Sequence, residues 1–517
     1  MNPSRRDTTA SGGAGPLPSR RDGCGGGERF VTRWGLIASL LGMAIGAGNI
    51  WRFPRVAAAN GGGAFLIPWA LFLFLWSIPL MLVEFGMGRS TRRGPVGAFS
   101  ALLGRFGVVP GVFVAFCTTA ILFYYAVVTG WCAYYVVHLA VDFEGVTGHA
   151  SARWAALSHG SVAAVGFHFV ALLGGVIIVA GGVARGLERM NKVLIPTLLV
   201  LLVVAAVAGI SLPGGNRGLE YLFHVDLSKL AHHKTWLEAL SQSAWSTGAG
   251  WGLILTYGVY TSRREDVLLN SLVAGVGNNA ASLLAAMAIL PAVFALAGPG
   301  QAQQALAGNT GLLFVWMPRL FARMAGGHLL AVVFFLAVAV AALSSLLAML
   351  ELATRVLMDF GIRRRQATLL VGGVGFLAGL PSAWSLDVFN NQDWVWGLGL
   401  LLSGAFFTAA ALRFGARRFR QELLVGDPGA WRVGRWFEGL LYVALPVEFV
   451  AMLAWWFWSA IHGAKTTRAW LSPFEVFSVG TCLVQWTVIV VAGLLASGWI
   501  HRHLAPRTEG IQSTEGA

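Results

Sequence analysis

The chain has 517 residues, of which 56% are hydrophobic and 12% are charged, and its mean hydropathy is +0.68. This composition excludes a soluble globular enzyme and is typical of a protein that crosses a membrane many times. The net charge of +14 is interpreted as the excess of basic residues that sets membrane topology, and not as a nucleic-acid-binding surface.

Residues 1–33 are rich in Gly, Ser, Pro and Arg and lack the apolar core of a signal peptide, so we predict a disordered cytoplasmic tail. Twelve apolar segments follow, and each is about long enough to cross the lipid bilayer as an α-helix. These segments are 34–57, 64–88, 108–139, 163–182, 190–211, 237–261, 267–298, 328–358, 366–381, 393–413, 436–460 and 474–500. The predicted fold class is an all-α polytopic membrane protein with twelve transmembrane helices.

The loops richest in arginine fall on the side of the amino-terminal tail. They lie at 89–105, 185–192, 263–264, 363–365 and 413–435, whereas Lys229, Lys234, Lys465 and Arg468 are exceptions on the opposite side. Because cytoplasmic loops carry the excess of basic residues, both termini are predicted to lie in the cytoplasm.

The first span contains the stretch LGMAIGAGNIWRFP, which begins at Leu41 and ends at Pro54. Three glycines crowd its middle, and Asn49 and Arg52 follow at once. A helix broken within the membrane is tolerated only where its freed backbone groups face a cavity lined by protein or water. The pattern therefore predicts a ligand site, with amide groups of one half-helix facing an anion and carbonyl groups of the other facing a cation.

The sixth span is interrupted in the same way by Gly248, Gly250 and Gly252, next to Ser246 and Thr247. Breaks at corresponding positions of two five-helix halves indicate an inverted repeat. We predict a first repeat at 34–211, a second at 212–413, two further spans within 414–500 and a cytoplasmic tail at 501–517.

Three stretches resemble the opening signature of the neurotransmitter:sodium symporter family. They are GNIWRFP from Gly48, NGGGAFLIP from Asn60 and EFGMGR from Glu84. The resemblance extends over about residues 33 to 410 and includes the bacterial branch, to which the bacterial leucine transporter belongs. It implies a sodium-coupled symporter whose two broken helices hold the substrate and the ions.

The resemblance implies two sodium sites. The first is assigned to the carbonyl of Ala44 and to the side chains of Asn49, Ser246 and Asn278. The second is assigned to the carbonyls of Gly42, Ile45 and Ala341 and to the hydroxyls of Ser344 and Ser345. Carbonyl, amide and hydroxyl oxygens are the ligands that a hard cation prefers.

The resemblance also implies where an amino acid substrate would bind. Its carboxylate would meet the backbone from Gly46 to Gly48 and the hydroxyl of Tyr125. Its ammonium would meet the carbonyls of Ala44, Trp245 and Ser246. The monoamine-transporting branch has an aspartate at the position of Gly46, so its absence favours an amino acid.

The residues that would line the side-chain pocket are Met43, Ile121, Trp245, Gly248, Trp251, Ser345 and Met349. Their bulk favours a small neutral amino acid. In the alternative, Gly248 opens space and the two indoles stack on a large aromatic substrate.

Chloride dependence is left open. Chloride-independent bacterial members often place an acid in the seventh span where this chain has Ser282. The groups that could surround a chloride ion are Trp69, Gln242, Ser246, Asn278 and Ser282, with Trp69 in place of the family's usual tyrosine.

Gates are expected on both sides of the substrate. Arg52 and Asp393 resemble the outer ion pair of the family, and Tyr260 and Asp359 match positions of the inner gate. Arg29 is the nearest arginine of the tail to the inner gate, although it is displaced by two residues from the family's spacing. The other arginines on this side, Arg33, Arg355 and Arg363 to Arg365, are interpreted as charges that set topology.

We therefore expect a symporter in the cytoplasmic membrane that imports a neutral amino acid together with two sodium ions by alternating access. The lipid bilayer and the small-molecule substrate are its expected partners, with no nucleic acid. The alternatives are a transporter of another small zwitterion, amine or osmolyte, and a transporter-like nutrient sensor. A membrane enzyme is disfavoured, because no histidine or acid has the spacing of a catalytic motif.

Overall fold

The computed structural model describes residues 28–263, 265–297, 306, 311–426, 428–462 and 469–504. The parts of the predicted tails at 1–27 and 505–517 lie outside the described residues, as do Arg264, Lys465 and Arg468. Within the described part of the chain, β structure is limited to two isolated bridges, between Gly62 and Val225 and between His159 and Ser385.

The described segments are almost entirely helical. In chain order the helices are α1 Arg33–Ala44, α2 Ala47–Ala59, α3 Gly63–Thr91, α4 Pro95–Leu103, α5 Val108–Val141, α6 Phe143–Gly148, α7 Ala150–Ser158, α8 Val162–Ala180, α9 Val183–Ile210, α10 Asn216–Phe223, α11 Leu227–Leu230, α12 His233–Ser246, α13 Leu253–Val259, α14 Val267–Leu296, α15 Leu312–Phe321, α16 Gly327–Asp359, α17 Arg364–Trp384, α18 Leu386–Phe414, α19 Ala416–Leu423, α20 Trp436–His462 and α21 Val479–Leu504.

Ten of the described helices are long and apolar enough to cross a membrane, and α1 and α2 together form an eleventh apolar span that is bent by 52°. The remaining predicted segment, 237–261, consists of α12 and α13 with a non-helical stretch between them. The prediction of an all-α polytopic membrane protein is confirmed, and both expected breaks are present. The inverted relation of the two halves and the domain bounds stay predictions.

Helix bounds differ from the predicted ones mainly at helix starts. Helices α9 and α18 both begin seven residues earlier than predicted, at Val183 and Leu386. The sequence did not predict the short helices α4, α6, α7, α10, α11, α15 and α19, because none of them contains an apolar run long enough to cross a bilayer.

The two interrupted spans lie against the long central helices. Helices α5 and α16 pack along each other, and the pair α1 and α2 packs against α9, α14 and α16. Helix α13 packs against α3 and α16, and α12 packs against α3. Since a membrane offers no partner for freed backbone groups, this packing gives both interruptions a protein-lined surrounding.

Candidate functional site

The first interruption separates α1 from α2. Ile45 has an extended ψ of 92° and Gly46 is extended at φ −101° and ψ 177°, so the helical hydrogen-bond ladder stops here. The freed N–H of Gly46 donates to Asn49 Oδ1 at 3.0 Å, and the N–H of Ala47 donates to the Tyr125 hydroxyl at 3.1 Å. The predicted start of a half-helix thus presents its amides at the centre of the bundle.

The second interruption covers Thr247 to Gly252, between α12 and α13. Gly248, Gly250 and Gly252 have φ of 71°, 87° and 78°, which side chains with a Cβ rarely adopt. The fully buried carboxylate of Glu84 accepts the N–H of Gly250 at 2.5 Å and that of Leu255 at 3.2 Å. Sequence reasoning missed this positioning role of Glu84, for which an acid within a membrane span was the available signal.

Asn49 and Asn278 join the first broken span to α14. Asn49 Nδ2 donates to Asn278 Oδ1 at 2.7 Å and to Ser282 Oγ at 2.8 Å, and Asn278 Nδ2 donates to Ser246 Oγ at 3.2 Å. All four side chains are buried. The structure therefore brings together the side chains that the sequence assigned to the first sodium site.

The orientation of the Asn278 amide follows from the main chain. Because Asn49 Oδ1 accepts the Gly46 N–H, Asn49 Nδ2 must face Asn278, and its partner at 2.7 Å must be an oxygen. This Asn278 Oδ1 lies 2.9 Å from the Ser246 carbonyl oxygen and 3.0 Å from the Ala44 carbonyl oxygen. The opposite orientation would satisfy both carbonyls, but it would set two N–H groups against each other. Three oxygens thus meet here, and the only donor directed at them is Asn49 Nδ2, which bonds Asn278 Oδ1.

The residues of the second predicted sodium site also lie close together. Ser345 Oγ lies 3.4 Å from the carbonyl oxygens of both Gly42 and Met43, while Ser344 Oγ donates to the carbonyl of Ala341 at 2.9 Å. Ser344 is fully buried and Ser345 nearly so. Helix α16 thus brings the Ser345 hydroxyl to the end of α1, while the Ser344 hydroxyl bonds its own helix.

The predicted substrate pocket is densely packed. A Cβ on Gly46 would lie 2.9 Å from the Tyr125 hydroxyl and 3.1 Å from Ser345 Oγ, and a Cβ on Gly248 would lie 3.4 Å from Met43 Cε. The indoles of Trp245 and Trp251 meet edge to face, with centroids 6.1 Å apart. Ile121, Trp251 and Met349 are buried as well. Met43 therefore occupies the space beside Gly248.

Arg52 of the predicted outer gate lies beside the pocket. Its guanidinium donates to Gln242 Oε1 at 3.0 Å and to Ser241 Oγ at 3.1 Å, and it lies 5.4 Å from the ring of Trp245. Its nitrogens are not within the 4.0 Å of an ion pair with Asp393. In this structure the arginine is thus held by α12, and the outer ion pair stays a prediction.

A second network, around the predicted inner-gate residue Tyr260, was not predicted. Arg364 forms a bidentate ion pair with the fully buried Glu351, with Nη1 2.6 Å from Oε2 and Nη2 2.8 Å from Oε1. The hydroxyl of Tyr260 donates to Glu351, and Arg364 also pairs with Glu28 of the tail. The interpretation of Arg364 as a charge that only sets topology is therefore wrong.

The predicted inner-gate residues have local partners. Asp359 pairs with Arg355 at 2.7 Å and accepts the N–H of Gly94 at 2.7 Å. The guanidinium groups of Arg355 and Arg364 each lie 5.8 Å from the ring of Tyr260. Arg355, too, was interpreted only as topogenic, which these contacts correct. Arg29 is exposed and forms no ion pair with a described residue, so the structure does not bring it into the gate.

The candidate chloride ligands differ in whether they already have hydrogen-bond partners. Ser282 accepts from Asn49 and donates to the Asn278 carbonyl at 3.0 Å, and Gln242 accepts from Arg52. The indole N–H of Trp69 is buried and has no partner among the described residues. The Trp69 indole is therefore a buried donor of the expected set that is available to an anion.

A helical membrane protein whose two interrupted spans bring polar groups together at the centre of the bundle has the architecture of a secondary transporter. The profile of the sodium:neurotransmitter symporter family matches residues 27–144 and 159–502, which is most of the chain. The chain belongs to this family. It is therefore a sodium-dependent transporter, and not an enzyme.

Two comparisons show how far the likeness extends along the chain. An uncharacterized sodium-dependent transporter of Methanocaldococcus jannaschii is 29% identical over 458 residues, which cover 82% of this chain and 89% of that protein. The sodium-dependent serotonin transporter of Drosophila melanogaster is 28% identical over 463 residues, or 78% of this chain and 74% of that protein.

A solved structure is similar as well. The crystal structure of MhsT in complex with L-phenylalanine has a TM-score of 0.71 and 28% identity, and covers 83% of this chain and 99% of MhsT. The expected fold and the expected family are thereby confirmed.

Proposed function

We propose that this transporter is a symporter that imports a small neutral amino acid together with sodium across the cytoplasmic membrane, with both termini in the cytoplasm. The observation that carries the proposal is the meeting of three oxygens, from Ala44, Ser246 and Asn278, about the first interruption. Such oxygens repel one another unless a cation lies among them. Sodium accepts neutral oxygen ligands of this kind.

A second sodium ion would bind between α1 and α16. The Ser344 and Ser345 hydroxyls and the carbonyls of Gly42, Ile45 and Ala341 supply oxygens without an acid. Each sodium ion that enters down a membrane potential of 100 mV contributes about 2.3 kcal/mol. Two ions would therefore drive steep accumulation of the substrate.

An amino acid fits the polar end of the pocket. The amides of Gly46 and its neighbours start a half-helix, which favours a carboxylate. The Tyr125 hydroxyl lies at the same place, where it accepts the N–H of Ala47. The carbonyls of Ala44 and Ser246 lie opposite and favour an ammonium group. Gly46 provides room for the carboxylate, because a Cβ there would meet Tyr125 and Ser345.

The apolar end of the pocket favours a small side chain. Of the two alternatives that the sequence leaves open, a small side chain is supported by the contact of Met43 with the Cβ position of Gly248. Met43 Cε, which would lie 3.4 Å from a Cβ at Gly248, narrows the space that the glycine would offer to a large ring. Among similar proteins, MhsT was crystallised with L-phenylalanine, and another relative is a serotonin transporter. Because the ligands of these relatives differ, the size of the substrate has to be inferred from the pocket residues of this chain.

Transport would follow alternating access. Binding of sodium and substrate favours a state closed to the outside, with Arg52 moving from Gln242 to Asp393. The inner side then opens as the contacts of Arg364 with Glu351 and Glu28 separate.

Uptake by purified protein in liposomes tests the proposal. Radiolabelled glycine, alanine, leucine, phenylalanine, γ-aminobutyrate and serotonin would each be offered with an inward sodium gradient and with potassium in its place. We expect sodium-dependent accumulation of glycine and alanine above that of the larger amino acids. Uptake of serotonin or γ-aminobutyrate alone would overturn the amino acid assignment, and equal uptake in potassium would overturn coupling to sodium.

Chloride is a second ligand that one observation favours. Trp69 belongs to the set of residues expected around an anion, and its buried indole N–H has no partner among the described residues. Replacing chloride by gluconate in the same assay should lower the uptake rate if Trp69 helps to hold chloride, and Trp69→Phe should then remove the difference between the two anions. Equal rates in chloride and gluconate would contradict a chloride site.

A further inference from the structure

A glutamate, Glu448, lies in the middle of the membrane-spanning helix α20. It belongs to none of the substrate or ion sites proposed above. Glu448 follows the first residue of α20, Trp436, by 12 positions and precedes its last, His462, by 14. At 1.5 Å per residue it is about 18 Å from one end and about 21 Å from the other. It is 7% exposed and shares a buried face with Leu441, Leu445, Met452 and Trp456. The carboxyl group therefore faces the protein at the depth of the bilayer centre.

Glu448 differs from the other buried glutamates of the described chain. Glu84 accepts two backbone N–H groups, Glu188 accepts the N–H of Val31 and pairs with Lys192, and Glu351 pairs with Arg364. Glu448 Oε2 is buried without a hydrogen-bond partner, and neither oxygen forms an ion pair with a described residue.

A carboxylate without a partner in apolar surroundings is strongly disfavoured relative to the neutral acid. Acids kept inside membrane spans in spite of this cost mark ion or proton sites. We propose that Glu448 is a proton-binding site of this transporter, and that its proton occupancy changes with the sodium-dependent conformational cycle. Binding adds one proton to the carboxylate to give the neutral acid, and release returns it, with no other reactant.

The packing of α20 supplies the link to the cycle. This helix contacts α12, which leads into Ser246 at the second interruption, and α18, which carries Asp393. It also contacts the segment Leu73–Ser77 of α3. A shift of α12 would change what surrounds the Glu448 carboxyl, and by linkage its proton affinity would change with it.

The charged groups of these neighbours do not satisfy Glu448 in this structure. They are His233, Lys234 and Glu238 on α12 and Asp387, Asp393 and Arg413 on α18, while Leu73–Ser77 has none. Helix α20 itself carries Glu438, which pairs with Arg420 at 2.8 Å. None of them forms an ion pair or a hydrogen bond with Glu448 here.

Infrared difference spectroscopy of the full-length transporter in lipid tests the proposal. Exchanging potassium for sodium, without any amino acid, should shift or remove the carbonyl stretching band of a protonated carboxylic acid in the wild type. Glu448→Gln should lose this band, since the amide keeps the shape of the neutral acid but cannot titrate. Glu475→Gln, which removes an exposed acid from an outer loop, should keep it.

A second measurement keeps the proposal testable if Glu448→Gln does not fold. A hydrophobic carbodiimide adds to protonated carboxyl groups within membranes, so wild-type protein should acquire an adduct at Glu448, found by peptide mass spectrometry. Sodium should change the extent of labelling. Wild-type protein that lacks both the sodium-sensitive band and the adduct would overturn the proposal, as would a band that survives in Glu448→Gln. Neither result depends on which amino acid is transported.

Discussion

Asn49 and Asn278 are 229 residues apart in the chain, yet their side chains meet at 2.7 Å in the centre of the bundle. The contact ties the first broken span to α14 and directs Asn278 Oδ1 at the carbonyls of Ala44 and Ser246. It therefore couples the backbone of one interruption to that of the other.

Asn278→Ala should weaken sodium binding. The substitution removes one oxygen of the proposed first sodium site, and we expect the half-saturating sodium concentration for uptake to rise about tenfold, which corresponds to about 1.4 kcal/mol. Asn60→Ala is the control, because Asn60 is also buried but bonds only the carbonyl of Val56 in its own helix. An unchanged sodium dependence in Asn278→Ala would exclude this side chain as a ligand.

Gly46→Ala should abolish most transport without unfolding the protein. The backbone at Gly46 is one that alanine adopts freely, so the effect would come from the methyl group close to Tyr125 and Ser345. We expect uptake to fall about a hundredfold, equivalent to about 2.7 kcal/mol, with an unchanged thermal stability. Gly373→Ala is the matched control, since Gly373 is exposed and a Cβ there meets no atom within 4 Å. Normal uptake by Gly46→Ala would place the carboxylate elsewhere.

Met43→Ala should change the substrate preference. Removing the thioether opens the space beside Gly248, so larger amino acids should gain relative to small ones. One methylene in an apolar pocket is worth about 1–3 kcal/mol, and Met43→Ala removes more than one. We therefore expect the ratio of kcat/KM for leucine over alanine to rise roughly tenfold or more. Met358→Ala, half-buried at the carboxyl end of α16, should leave the ratio as it is. A constant ratio in Met43→Ala would show that Met43 does not limit substrate size.

Arg364→Ala alone should destabilise the protein more than the double substitution that removes the charges of both Arg364 and Glu351. The single substitution leaves the fully buried Glu351 without its cation, and an unpaired buried charge costs about 3–5 kcal/mol. The double variant Glu351→Gln with Arg364→Ala removes that charge and should recover part of the loss in thermal melting temperature. Arg418→Ala is the control, because Arg418 forms a more exposed pair with Glu422. If the losses in melting temperature of the two single variants simply add in the double variant, Arg364 and Glu351 would not stabilise each other.

Much of the architecture was accessible from the sequence. A bilayer requires each spanning segment to be about 20 apolar residues long and to satisfy its own backbone. Hydropathy therefore located the spans, and glycines at 46 and 248 located both interruptions. The short helices that connect the spans have no such requirement, so their positions did not follow from composition.

The family motifs identified the site residues along the sequence. Only the tertiary structure showed which other residues each of them contacts. Met43 and Gly248 are an example, since only packing of α1 against the second interruption shows that one fills the space of the other. The charges show the same limit. Arginines in a loop set topology whatever they touch, so the sequence could not distinguish Arg364, which enters a buried ion pair, from Arg365.

The sequence alone determined that this protein spans the membrane with two broken helices, because bilayer thickness and backbone hydrogen bonding act on local runs of residues. The tertiary structure alone decided which buried polar groups are satisfied. Glu351 pairs with Arg364, whereas Glu448 Oε2 has no partner in the described part of the chain, although both acids lie in apolar helices. The reason is that electrostatic satisfaction depends on side chains brought from distant helices, and those distances exist only once the bundle has packed.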